Sequence, residues 1–355
     1  MSDDKQESIL REIPENPVPE GGVAGFIETG DGTRLRFARF RAAGEPFKGT
    51  ILLLQGRNEA IEKYFETIGD FSKAGYGVIA FDWRGQGGST RLVTSRQGYV
   101  RRFEHFGDDL DAIISQVALP DGRGPFFIVA HSSGALAAIL ASPRLANRIE
   151  RMVLLAPFLE PVGLPVSNVL ARRIARLACW LGLGKMALTP AAPAGTAFPF
   201  EINRVSRDPK RYERNSKLMR EFPELFLGGA SAAWVNAAFR AIGTVKSEKF
   251  LRNNRIPMLM LAPTEDKVVS ATAIEAYART LRCASFISID GAYHELAQER
   301  NVMREQMLAA VKAFLPGSQY EPAQSMEPDD LLYAEAGKIQ KKAKRFGNLH
   351  RYIFR

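Results

Sequence analysis

The chain is predicted to fold as an α/β protein: a mostly parallel, doubly wound sheet interrupted by an inserted helical cap. Three observations predict this. Short runs of leucine and β-branched residues recur without polar alternation, helix-length segments separate them, and one long stretch of helical texture divides the early runs from the late ones. Strands that are apolar throughout are buried on both faces, and the helices that connect parallel strands provide that cover.

The elements follow in order. Residues 1–21 form a polar leader, after which GFIETGDGTRLRFARFRA alternates around Asp31-Gly32 and predicts a β-hairpin. GTILLLQ, YGVIAFD, GPFFIVA and IERMVLLAP are then four core strands. The interruption covers residues 157–243. Within it, VSNVLARRIARLACWLGLG sets apolar residues at helical spacing with Arg172, Arg173 and Arg176 opposite, which predicts a cap helix packed on its own domain. RDPKRYERNSKLMREFPELF predicts a second, charged helix that opens near Asp208-Pro209. IPMLMLA and ASFISID are the last strands. The resulting organisation is a core of 22–156 and 244–316, a cap of 157–243 and a basic tail of 317–355.

Composition excludes several classes. With 46% hydrophobic and 25% charged residues in 355, the chain can bury a sizeable core. The opening MSDDKQESILREIPENP lacks a basic segment followed by an apolar one, so the expected location is cytoplasmic. Its apolar runs are strand-sized, well short of the roughly 20 residues that cross a bilayer. Cys179 and Cys283 lie far apart without CxxC spacing; no zinc site or disulfide framework is expected, and both thiols are expected to be buried. The formal net charge of +9 favours an anionic partner but is not specific. Much of it sits in KIQKKAKRFGNLHRYIFR. The plain reading of this tail is a solvated segment; its interleaved cations and aromatics make peripheral contact with an anionic membrane the functional alternative. No nucleic-acid module surrounds those charges, and no nucleic-acid partner is expected.

The segment GPFFIVAHSSGALAAIL carries the chemistry. A strand runs into Ala130-His131-Ser132-Ser133-Gly134 and then into a helix of small residues, the context of a nucleophile elbow, with Ala130 in place of the first glycine of G-x-S-x-G. Ser132 holds the nucleophile position and Ser133 the variable one. A serine hydroxyl needs a base held by a third group. Of His105, His131, His294 and His350, only His294 follows a late strand on a loop. The acid belongs after IPMLMLA, where Glu265 and Asp266 stand side by side. An oxyanion hole needs two donors; these are expected to be the backbone amides of Ser133 and of Arg57, where Gly56 lets the chain turn after GTILLLQ. The Arg57 side chain is left to meet solvent or substrate.

At these residues the chain resembles the lysophospholipase and monoacylglycerol lipase branch of the α/β-hydrolases, which share their architecture with serine aminopeptidases. LLLQGRNEAIEKY resembles that branch's oxyanion loop, FDWRGQGGS its turn after the next strand, AHSSGA its elbow, and LAPTEDKVVS and GAYHELAQE its acid and histidine loops. DPKRYERNSKLMREFPELFLGG is similar to the cap of bacterial lysophospholipase-like proteins. The resemblance spans roughly residues 22–316. It implies an α/β-hydrolase fold, Asp266 rather than Glu265 as the acid, and hydrolysis of acyl-lipid esters by Ser132, His294 and Asp266 without a cofactor. Gln55 stands where many relatives have histidine, and neither it nor Ala130 removes a catalytic group. Two other functions are weighed: a small-ester hydrolase or aminopeptidase on the same scaffold, and a non-catalytic binding protein acting through the basic tail.

Overall fold

The computed structural model describes residues 8–190 and 193–315. Among the described residues eight strands form one sheet: β1 (Gly22–Glu28), β2 (Arg34–Phe40), β3 (Gly49–Leu54), β4 (Tyr76–Phe81), β5 (Phe126–His131), β6 (Arg151–Leu155), β7 (Met258–Pro263) and β8 (Ala284–Ile289). Their spatial order is β1-β2-β4-β3-β5-β6-β7-β8. The hairpin β1–β2 is antiparallel and joins β4 antiparallel, and every pairing from β4 to β8 is parallel. All residues of β3, β4 and β7 are buried, which explains why these strands read as apolar runs. β8 is the edge, and Ser285, Ile287 and Ser288 are exposed along it.

The helices are α1 (Phe65–Lys73), α2 (Glu104–Ile113), the single turn α3 (Leu119–Asp121), α4 (Ser132–Leu145), α5 (Asn168–Trp180), α6 (Pro209–Glu221), α7 (Ala232–Val245), α8 (Glu248–Asn253), α9 (Ala271–Thr280) and α10 (Asn301–Phe314). Alternate strand residues point to opposite faces and make two cores. Leu52, Leu54, Ile128 and Met260 meet α2, α4, α7 and α9 on one side. Ile51, Leu53, Val129 and Leu261 meet α1 and α10 on the other.

This order places the site. The chain leaves β3 for β4 on one side and then crosses back to β5 on the other, so a crevice opens beyond the carboxyl ends of β3 and β5. The two ends approach closely because residue 134 is glycine: a Cβ there would lie 2.2 Å from the Gln55 carbonyl oxygen.

Part of the leader is packed: Leu10 and Ile13 are buried, and the Ile9 carbonyl accepts a bond from the buried Arg36 guanidinium at 3.0 Å. Arg36 needs acceptors in a dry interior, and the leader supplies one. Helix α7 runs across the expected cap boundary to Val245, and its Trp234, Ala237, Ala238 and Ala241 pack in the main core. Helix α5 is covered only in part: Ala175 and Ala178 are buried, whereas Leu177 and Trp180 are 55% and 80% exposed. Cys179 and Cys283 are free thiols and only half-buried.

Helix α6 is the better-seated part of the cap. Asp208 caps it by accepting from the Arg211 amide at 2.9 Å, and Arg211 and Arg214 both bind Glu66 on α1. Among the described residues no helix is long and apolar enough to cross a membrane. The expected basic tail, 317–355, lies outside the described residues.

Candidate active site

The elbow is built by the strand-to-helix turn. Ser132 follows the last residue of β5 and starts α4, with φ at 51°, a conformation that an L-residue holds only when its surroundings enforce it. Ala130 is fully buried within β5. Its methyl therefore fits where the motif has glycine, and close approach depends on Gly134 instead.

Ser132, His294 and Asp266 meet. Ser132 Oγ lies 2.9 Å from His294 Nε2, and His294 Nδ1 lies 2.7 Å from Asp266 Oδ2. Since a carboxylate only accepts, Nδ1 carries the proton and Nε2 faces the hydroxyl as acceptor. Asp266 is itself held, its Oδ1 accepting from the amides of Val268 and Val269 at 2.7 and 3.0 Å. Glu265 instead pairs with Arg207 at the surface. His105 lies on α2 beside Arg102, and His350 lies outside the described residues.

His131 stands inside the elbow, and its ring lies 4.8 Å from that of His294. Its Nε2 faces the His294 carbonyl at 3.2 Å and its Nδ1 faces Glu59 at 3.1 Å. Both neighbours are acceptors, so an imidazolium satisfies both. Burial alone would lower the His131 pKa, but the charge and hydrogen bond of Glu59 outweigh it and leave the pKa raised. Burial would likewise raise the Glu59 pKa, and Lys63 and His131 instead hold it well below the usual carboxylate range.

Glu59 is the centre of this network. It accepts from the Gly56 amide at 2.5 Å, Tyr64 Oη at 2.7 Å and Lys63 Nζ at 2.9 Å, and Lys63 also pairs with Glu295 at 2.6 Å. The available sequence signal was a glutamate and a lysine four apart in the loop after a buried strand, a pairing ordinarily taken for solvated surface.

The same network shapes the loop after β3. Gly56 does not supply the turn: the positive φ, 62°, is at Asn58. Gly56 supplies closeness, since a Cβ there would lie 3.0 Å from His131 Nδ1 and 3.2 Å from Ser132 Cβ. Its amide is engaged by Glu59, and that of Asn58 donates to Gln86 Oε1 at 2.8 Å. Among the described residues the intervening Arg57 amide has no acceptor. The Ser133 amide lies in the first turn of α4, where no intrahelical partner exists.

Above these groups is a cavity of about 820 Å³ with Ser132 and His294 in its wall. Phe158, Leu164, Ile174, Phe198, Trp234 and Phe239 line much of it. No cluster of three or more metal-ligating side chains occurs among the described residues.

An eight-stranded sheet of this order, with a serine on a strained elbow at its switch point, defines an α/β-hydrolase. The match to known proteins is narrower. The family model described as serine aminopeptidase, S33 matches residues 45–301, and the chain belongs to that family of serine hydrolases. Lysophospholipase L2 of Escherichia coli K12 is 29% identical over 295 residues, 80% of this chain and 84% of that protein. A probable lysophospholipase L2 of Haemophilus influenzae is 29% identical over 266 residues, 75% of this chain and 83% of that one. Among solved structures, the monoacylglycerol lipase of Paleococcus ferrophilus superposes with a TM-score of 0.62 at 22% identity, covering 79% of this chain and 98% of that one.

Proposed function

We propose that this hydrolase cleaves carboxylic esters of acyl lipids, of the lysophospholipid or monoacylglycerol type, through an acyl-enzyme on Ser132. The observation that carries the reading is the Ser132–His294–Asp266 chain, at 2.9 and 2.7 Å, opening into a largely apolar cavity. His294 Nε2 takes the Ser132 proton as Oγ attacks the acyl carbonyl, and Asp266 steadies the imidazolium that forms. The Arg57 and Ser133 amides receive the developing oxyanion. His294 returns the proton to the departing alkoxide, then deprotonates the water that cleaves the acyl-enzyme. No cofactor enters this sequence.

The cap supports a lipid substrate. Ala171 and Ile174 of α5 line the cavity, while the same helix exposes Leu170, Leu177 and Trp180. Arg172, Arg173 and Arg176 make no ion pair with a carboxylate among the described residues. An apolar, cationic rim of this kind suits substrate drawn from an anionic lipid surface. A peptidase would need an anion for a substrate α-amine, and both carboxylates lining the cavity, Glu59 and Glu295, are already bound to Lys63.

The test is a chain-length series of p-nitrophenyl esters, with lysophosphatidylcholine and monoacylglycerol, on wild type and Ser132→Ala. Activity should rise with acyl length and fall by about 10⁴-fold or more in the variant. Preference for acetate or butyrate esters would point to the small-ester alternative, and an active Ser132→Ala enzyme would refute the assigned nucleophile.

A further inference from the structure

The cavity is unbalanced in charge. Its two carboxylates are both bound to Lys63, whereas Arg57, Arg96, Arg204 and Lys267 also line it and none has a carboxylate partner among the described residues. Arg57 is the one attached to the proposed oxyanion loop. Its Nη1 donates to the Gly228 carbonyl at 3.0 Å, and its guanidinium lies 5.8 Å from the Trp234 ring centre. One of five N–H donors is therefore used. Burial lowers its pKa to about 10, since no anion nearby offsets the desolvation. A half-buried guanidinium that lines the cavity without a carboxylate partner is positioned for an anion that arrives with the ligand.

We infer that the Arg57 side chain binds the phosphate of the substrate, making the enzyme selective for phosphate-bearing acyl esters over neutral ones. This rests on the ester-hydrolase reading above. Residue 57 has its amide at the proposed oxyanion position and its guanidinium one side-chain length away. In a lysophospholipid, the acyl carbonyl and the phosphate are likewise separated by a glycerol. A single residue thus presents donors to both ends of the polar part of the substrate. The guanidinium is planar and forked, which suits two phosphate oxygens at once.

The test compares wild type, Arg57→Gln and Arg57→Lys on 1-oleoyl glycerol 3-phosphate, 1-oleoyl lysophosphatidylcholine and 1-monooleoylglycerol in one detergent, with kcat and KM measured separately. Glycerol 3-phosphate and inorganic phosphate are also tested as inhibitors of monooleoylglycerol hydrolysis by the wild type. In Arg57→Gln the phosphate-to-neutral ratio of kcat/KM should fall by about 10- to 100-fold, mainly through KM, with Arg57→Lys intermediate. Glycerol 3-phosphate should compete in the wild type, independently of how the variants fold. Equal losses on all three substrates would make Arg57 a strut for the Gly228 loop and overturn the inference. Inorganic phosphate inhibiting as well as glycerol 3-phosphate, with the ratio unchanged, would assign a free-anion site and also overturn it. A wild type inactive on every acyl ester would instead overturn the ester reading itself, and this inference with it.

Discussion

Replacing Glu59 by glutamine tests whether the buried network beneath the reacting groups holds the site together. The carboxylate takes three donors on Oε2, from Gly56, Tyr64 and His131, and one on Oε1, from Lys63. Glutamine has one accepting oxygen and one donating nitrogen, so it cannot serve both ends. The lower-cost orientation keeps the oxygen toward the three donors and turns the amide nitrogen to Lys63, which still has Glu295 at 2.6 Å. One charge-assisted bond is lost and the local positive charge is left in excess. Since breaking a buried pair outright costs about 3–5 kcal/mol, and Lys63 keeps one partner, Glu59→Gln should cost about 2–4 kcal/mol. The readout is urea unfolding followed by the fluorescence of the three tryptophans, with the midpoint lowered at constant slope. Hydrolysis should also slow, because the Gly56 amide bonded to Glu59 anchors the loop that carries Arg57. A loss below about 1 kcal/mol would mean that the native carboxylate is not the ionised hub described here.

Three further outcomes are expected. Gly134→Ala puts a methyl 2.2 Å from the Gln55 carbonyl oxygen, a backbone atom that cannot swing aside; it should cost about 3 kcal/mol and lower kcat by about 10²-fold, and near-wild-type melting and turnover would contradict the close packing. Asn58→Ala loses the bond from the Leu227 amide and keeps φ at 62°, so it should destabilise by about 2 kcal/mol, with Asn58→Gly about 1 kcal/mol better in the same denaturation assay. Burial would raise the Glu66 pKa, but bonds from Arg211 and Arg214 and the charge of Arg304 outweigh it and lower it to about 2, from 4.5. A depressed folded pKa gives stability that is present above pH 4.5 and lost as pH falls toward 2. The gap between wild type and Glu66→Gln should therefore be about 2 kcal/mol at pH 7, allowing for partial exposure, and close by pH 2.

The sheet was readable because its strands are buried on both faces, and runs such as GTILLLQ have no other stable placement. The elbow was readable because strand, turn and small-residue helix are contiguous around Ser132. Asp266 was not separable from Glu265 by local sequence alone. What distinguishes them is that the Val268 and Val269 amides bind Asp266 while Arg207 draws Glu265 to the surface, and both are facts of tertiary placement. Helix α5 shows the converse: its helical spacing was correct, but periodicity says which residues share a face and not whether anything covers it. Likewise, Leu10 and Ile13 sit in a polar segment too short to show a pattern, and their burial comes from tertiary packing, Leu10 in the core beside α1 and α10 and Ile13 against Leu218, Leu225 and Phe226.

The charged residues of the β3 loop join these observations into one argument about catalysis. A preorganised amide pair is useful only if the loop carrying one of them does not move as charge develops. Gly56 lies so close to Ser132 that a Cβ would crowd it at 3.2 Å, and the freedom a glycine brings would let the loop shift. Glu59 and Gln86 remove the freedom by binding the amides on either side of Arg57. Gln55 completes the brace, donating to Asp82 at 3.1 Å while its carbonyl accepts from Trp83 at 2.9 Å. His131, held by Glu59, reaches the carbonyl of His294 as well. One buried carboxylate therefore restrains both the proposed oxyanion loop and the loop of His294, which lie far apart in the chain.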